Sequence, residues 1–172
     1  AFSVAVNIDG SPIWFADREN FSDSRIIVTE ISTNGNFIGF GFRRGYEVDI
    51  NSEIIFETEY PGYEVHHSII KSENETYFFL DYISEILPCP DECSSIAPDN
   101  LNWVGDRIIE VDFEGNVLWE WNTFDYISQQ DYNPQWILQA ETSGDFDWTH
   151  GNSVFFNKND SIVYASFRNI SR

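Results

Sequence analysis

Methionine is absent from the 172 residues, lysine occurs only as Lys71 and Lys158, and histidine only at three positions. Nine Lys and Arg face 29 Asp and Glu, a formal net charge of -20. A surface this poor in cations excludes nucleic acid as a partner, because that partner needs a basic footprint. The same field repels small anions at long range, although salt screens it over about 10 Å. The carboxylates are scattered rather than blocked, so the acidity reads as a solvated surface of the secreted or marine kind and not as a binding tail. No run approaches the roughly 18 apolar residues of a membrane helix, and no membrane span is expected. Without a methionine, residue 1 is not expected to be a translation start, and the chain reads as a processed or partial piece of a longer polypeptide.

Cysteine is equally scarce, with Cys89 and Cys93 alone, in PCPDECSS. A metal site would need two more soft ligands and none is nearby, so no metal is expected; nor do the many Asp and Asn residues form an ordered calcium loop. The three-residue gap can close a small disulfide loop, stiffened by a proline on each side of Cys89, with free thiols as the alternative. A disulfide would place the chain in an oxidising compartment. Asn-x-Ser/Thr sequons at Asn20, Asn74, Asn159 and Asn169 lend some weight to an exported glycoprotein.

What is present is apolar and aromatic. Hydrophobic residues make up 42% and aromatics 17%, enough for one packed core. Helical periodicity is hard to find, whereas short apolar or alternating runs recur: RIIVTEIS, FIGFGF, EIIFETEY, TYFFLDY, RIIEVDF, NVLWEWN, SIVYASF. Polar turns divide them, among them Thr33-Asn34-Gly35-Asn36, Asn51-Ser52, Glu114-Gly115-Asn116 and Lys158-Asn159-Asp160. Residues 84–103, with their prolines and cysteines, read as a long loop insertion in a single domain over 1–172. Residues 123–140 are ambiguous and suggest a short helix around Pro134 to Leu138.

The chain repeats itself. Glu47-Val48-Asp49-Ile50-Asn51-Ser52-Glu53-Ile54-Ile55-Phe56-Glu57 aligns with Glu110-Val111-Asp112-Phe113-Glu114-Gly115-Asn116-Val117-Leu118-Trp119-Glu120, each a strand, turn and strand. A histidine that opens another hairpin follows each copy, His66 after the first and His150 after the second. Asn34 to Gly41 suggests a third, partial copy. Repeated antiparallel units of this kind indicate an all-β chain, either a sandwich or a β-propeller, and the matched histidines favour the propeller. About two and a half blades are present, whereas a ring needs about four to eight. Either the polypeptide is longer, which is the expected case, or several copies assemble into a ring as a homo-oligomer.

All three histidines fall at the two hairpin openings. If Lys158-Asn159-Asp160 is a three-residue loop, Asn157 pairs with Ser161 and Phe155 with Val163. His150 then lies opposite Arg168, and Asn152 opposite Ser166. Partners share a face, with Cβ atoms about 5 Å apart, and His150, Asn152, Ser166 and Arg168 form one polar patch. A four-residue loop would shift the register by one and turn Arg168 to the other face. Imidazole is an acid, base or nucleophile near neutral pH, and guanidinium matches a sulfate, phosphate or carboxylate, so the patch is suited to an anion. A structural His–Asn–Arg hydrogen-bond network is the bland alternative. The repeat alignment places His66 at the position of His150, converging on an axial pocket, with His67 on the opposite face.

These residues resemble the bacterial aryl-sulfate sulfotransferases. The resemblance rests on Asp147-Trp148-Thr149-His150-Gly151-Asn152-Ser153, Ser161-Ile162-Val163-Tyr164-Ala165-Ser166-Phe167-Arg168, the strand pair from Arg107 to Asn122, Val65-His66-His67-Ser68-Ile69, and Gly10-Ser11-Pro12-Ile13-Trp14. It implies part of a six-bladed propeller with a funnel-shaped axial site and no cofactor. It implies an exported enzyme, periplasmic or extracellular, that moves a sulfuryl group from an aryl sulfate to a phenol through a sulfohistidine. On this pattern His66, His150 and Arg168 are the catalytic candidates, and Asn152, His67 and Ser166 the substrate-binding ones. The nucleophilic histidine would lie in a later blade, outside this chain. A glycan at Asn169 would crowd the site. The competing function is a secreted, non-catalytic propeller that binds partners or assembles into a surface or filament.

Overall fold

The computed structural model describes residues 3–59, 61–90 and 99–170. Its architecture is all-β and antiparallel with few helices. Strands β1 (Val4–Val6) and β2 (Pro12–Phe15) form a hairpin. Strands β3 (Ile27–Ile31), β4 (Phe37–Phe40), β5 (Gly45–Val48) and β6 (Ile54–Glu57) follow as a four-stranded meander in chain order. A second meander repeats the plan with β7 (Val65–Lys71), β8 (Tyr77–Pro88), β9 (Asn100–Val111) and β10 (Val117–Asn122). Helices α1 (Thr123–Tyr126) and α2 (Ile137–Ser143) come next, with a 3-10 turn at Pro134–Trp136. Strand β11 (Asp145–Asp147) then adds in parallel to β9, and the hairpin of β12 (Gly151–Asn157) and β13 (Ile162–Phe167) closes the order.

One turn geometry builds the meanders. At Asn7–Ser11, Ser32–Asn36, Asp49–Glu53, Ser72–Thr76 and Asp112–Asn116 the first residue's N–H donates to the fifth's carbonyl, and its own carbonyl accepts from the fourth. The fourth residue is left-handed in every case: Gly10, Gly35, Ser52, Glu75 and Gly115 have φ of 87°, 88°, 64°, 63° and 85°. That is a three-residue hairpin loop ending in a left-handed residue, whose twist matches the strands it joins. Side chains reinforce it. Asp49 Oδ1 accepts from the N–H groups of Asn51 and Glu53, and Asp112 Oδ1 from that of Asn116, each at 2.8 Å. The aligned repeat is thus the third and fourth strands of each meander. Asn34 to Gly41 belongs instead to the first hairpin of its meander, β3 to β4, and is not a third copy.

The segment TYFFLDY is apolar at successive positions because β8 is buried on both faces. Tyr77 and Phe79 pack with Ile38, Phe56, Val65, Ile69, Ile109 and Val111 between the meanders, and Phe56 stacks on Tyr77 at 3.8 Å. Phe78 and Leu80 point the other way and pack with Ile108 and Val154 under the β12–β13 hairpin. Strand β7 touches β12 on one side and β3 and β4 on the other. Sheets stacked face to face with their first strands adjacent are arranged as blades of a propeller; no closed ring is present among the described residues.

Glu47, fully buried, crosses between the meanders. Its carboxylate accepts from Tyr77 Oη at 2.5 Å and Asn36 Nδ2 at 2.6 Å, and pairs with Lys71 Nζ at 3.0 Å. Burial by itself pushes this carboxyl up, but the donors Tyr77, Asn36 and Lys71 more than offset that and hold it below its usual value.

The two ends of the expected loop over 84–103 are strand. Strands β8 and β9 stay in register out to Pro88↔Asn100, which leaves only residues 89–99 to connect them. Leu87, Leu101 and Trp103 give this extension an apolar face that packs on Ile137, Ala140 and Phe146. Cys89 packs against the same cluster, and Cys93, the other half of the expected pair, lies outside the described residues.

Candidate functional site

Both histidine-bearing segments lead into the first strand of a sheet, β7 or β12, and both enter through left-handed backbone. His67 has φ of 55° and His150 φ of 50°, a conformation that is uncommon for residues other than glycine. Each sits beside a slip in strand register, between Val65 and Ile69 in β7 and between Gly151 and Ser153 in β12. A bulge bends its strand and re-aims the side chains next to it.

The last hairpin shows how register reaches the site. Its loop has four residues, not three, so that Asn157 pairs with Ile162 and Phe155 with Tyr164. The left-handed residue falls one place later than expected, on Ser161. This one-residue shift would have turned Arg168 away. The bulge at Asn152 restores the phase, Gly151 pairs with Phe167, and the Arg168 N–H donates to His150 O at 2.9 Å. His150 therefore does lie opposite Arg168. Asn152 does not lie opposite Ser166: it occupies the bulge, exposed, and Ser166 Oγ meets Ser153 Oγ at 2.8 Å instead.

The three imidazoles stand in a row, His66 to His67 at 5.4 Å and His67 to His150 at 4.9 Å between ring centroids. The expectation for the first pair is reversed. His67, not His66, shares the backbone conformation of His150 and lies next to its ring. His66 is 6% exposed, stacks on Tyr82 with centroids 3.6 Å apart, and places Nε2 2.9 Å from Asp106 Oδ1. That contact is close but not aligned as a hydrogen bond. The ring of His67 is held below its usual protonation range first by burial and then by His66, His150 and Arg168, with Asp106 opposing.

Carboxylates and an indole orient the outer groups. Asp147 Oδ2 lies 2.6 Å from His150 Nδ1 and 3.7 Å from Arg168 Nη2. With Nδ1 engaged, Nε2 is the free nitrogen of His150. Arg168 Nε donates to Asn169 Oδ1 at 3.0 Å, and its guanidinium carbon lies 4.9 Å from the Trp136 ring centre. Asn169 is fully buried and its Nδ2 donates to Asp147 O, so in the folded chain this sequon amide is occupied as a structural donor. Among the described residues no group of three or more His, Cys, Asp or Glu side chains is arranged to hold a metal ion. One guanidinium and three imidazoles gather here in a strongly acidic molecule, with the carboxylates of Asp106 and Asp147 beside them.

Sequence reasoning missed Tyr82, Asp106, Trp136 and Asp147. Only Asp147 carried a local signal, three residues before His150. Tyr82 and Asp106 are cross-strand partners in the long β8–β9 ladder and lie 24 residues apart, beyond the reach of a local motif.

The arrangement defines an all-β chain of propeller-like modules with a histidine and arginine cluster where its first strands begin. The family model of the arylsulfotransferases (ASST) matches residues 1–172, and the chain belongs to that family. A comparison with curated proteins finds no match. Among the described residues, no helix is long and apolar enough to cross a membrane.

Proposed function

We propose that the cluster of His67, His150 and Arg168 binds the sulfo group of an aryl sulfate for transfer to a phenolic acceptor. Family membership supports the class of reaction. The observation that carries the site is the 4.9 Å approach of the His67 and His150 rings, with Arg168 bonded across the strand pair to His150. In this reading a histidine nitrogen, in a part of the polypeptide outside this chain, attacks sulfur. The N–S bond forms as the S–O(aryl) bond breaks, and the phenolate leaves with that electron pair. The phenolic acceptor then attacks sulfur and loses its proton, and the histidine is released. Arg168 and the imidazoles stabilise the charge that builds on the sulfuryl oxygens. His66 stands behind this seat and makes no direct contact in the proposal. Export to the periplasm or exterior belongs to the same reading.

The test is turnover of a chromogenic aryl sulfate by the full-length polypeptide with a phenol added. Release of the chromophore that depends on Arg168 and on the acceptor supports the transferase. Its absence favours the second reading, a binding or assembly module. One observation speaks for that alternative: an apolar groove of about 520 Å³ beside β13, lined by Phe78, Trp119, Trp121, Phe156, Val163 and Phe167.

A further inference from the structure

Asp106 is 1% exposed on β9, directly across the ladder from Tyr82. Its two oxygens face different parts of the chain. Oδ1 lies against His66 Nε2 at 2.9 Å. Oδ2 accepts the Gly151 N–H at 2.8 Å and the Thr149 hydroxyl. The Asp106 N–H in turn donates to Thr123 Oγ1 at 3.0 Å, which fixes the backbone that carries the carboxylate. A Cβ at position 151 would come within 3.0 Å of Asp106 Oδ1, so a glycine there permits the close approach. One side chain thus touches both histidine-bearing segments, which lie 84 residues apart between His66 and His150.

We propose that Asp106 is a positioning residue whose carboxylate couples His66 to the Thr149–Gly151 turn and so fixes where His67 and His150 present their rings to one anion. The identity of the anion rests on the sulfo-group reading above; the coupling does not. Left-handed backbone at a residue other than glycine persists only where its surroundings over-determine it. Asp106 does this for His150 by holding the residues on either side of it. It does so for His67 through the neighbouring His66, whose ring also stacks on Tyr82. With a carboxylate oxygen 2.9 Å from Nε2, a hydrogen on that nitrogen is favoured over a lone pair, which would be repelled there, although the two atoms are not aligned as a hydrogen bond.

The experiment is long-range ¹H–¹⁵N correlation of the histidine rings in the full chain, first without ligand and then with inorganic sulfate and 4-nitrophenyl sulfate. The wild type is expected to show a protonated Nε2 on His66. Asp106→Asn is expected to move the ring signals of His66 and His150 together, and to weaken sulfate binding about tenfold or more. Thr149→Val is expected to move His150 alone. Glu47→Gln, which alters another buried carboxylate whose partners are Asn36, Tyr77 and Lys71 and not a histidine, is expected to leave all three in place; this separates positioning from general loosening. A His66 Nε2 without hydrogen in the wild type, or Asp106→Asn with His150 at its wild-type position, overturns the proposal. Should Asp106→Asn fail to fold, the wild-type tautomer and Thr149→Val still decide it. Failure of the wild type to bind either sulfate species sinks the sulfo-group reading, while the ligand-free signals still decide the coupling.

Discussion

Replacing Glu47 by alanine removes the acceptor at which three donors from both meanders converge. Lys71 Nζ, with a side chain only 9% exposed, loses its buried partner and keeps Glu75 at 2.7 Å. The Tyr77 hydroxyl, in a fully buried residue, is left without its carboxylate, and so is the amide of Asn36. Removing one partner of a buried ion pair costs about 3–5 kcal/mol, and the surviving Lys71–Glu75 contact places this case near the lower end. In a domain of this size about 3 kcal/mol lowers Tm by roughly 6–12 °C. Urea unfolding followed by tryptophan fluorescence measures the change directly, with the slope expected to stay unchanged. The triple variant Glu47→Leu, Lys71→Met, Tyr77→Phe removes the carboxylate with two of its three donors, leaving only the Asn36 amide, and is expected to recover much of the loss. The sign with pH follows. The folded carboxyl is held below 4.5, so its stabilisation is complete above that value and is lost as pH falls through the folded value. A Glu47→Ala variant within about 1 kcal/mol of wild type, or one whose acid unfolding matches that of wild type, would refute the reasoning.

Sulfate binding is expected to take up protons. Burial and the neighbouring His66, His150 and Arg168 hold His67 below 6.5, and a bound dianion offsets those charges and raises it again. Affinity therefore rises as pH falls through the bound-state value toward the lower free-chain value, and calorimetry in buffers of different ionisation heat reads the uptake. In the free chain the same depression lowers stability as pH drops below 6.5, because the unfolded state then binds more protons. Trp136→Ala releases the guanidinium of Arg168 from the ring 4.9 Å away and is expected to weaken sulfate binding roughly two- to fivefold in a titration. Gly39→Ala drives a methyl into the carbonyl oxygen of Ile27 on the adjacent strand, and a loss of at least about 2 kcal/mol is expected in urea unfolding.

The sheets were legible in the sequence because their turns carry local chemistry. Asp49 and Asp112 bond to their own loops, and Ser52 and Gly115 take the same left-handed place, so the aligned repeat maps onto equivalent strands. The outer part of the β8–β9 ladder was hidden because prolines and cysteines read as loop, whereas Leu87, Leu101 and Trp103 bury that extension against α2. At the site, the facing of His150 and Arg168 came out as expected through two cancelling departures, a longer loop and a bulge. The placements of His66 and His67 relative to His150 are exchanged because the slip between Val65 and Ile69 has no signature in residue type. Asp106 was lost among 29 acidic residues, since its partners lie far along the chain.

The torsions at His67 and His150 set an opposition between durability and use. Glycine enters such torsions freely, whereas a side chain there costs about 1–2 kcal/mol. Exchanging both for glycine would ease the peptide geometry and discard two of the molecule's three imidazoles, giving a tougher protein without the rings proposed to meet the anion. Attempts to harden this scaffold by relaxing its least comfortable joints would begin by dismantling what the joints hold in place.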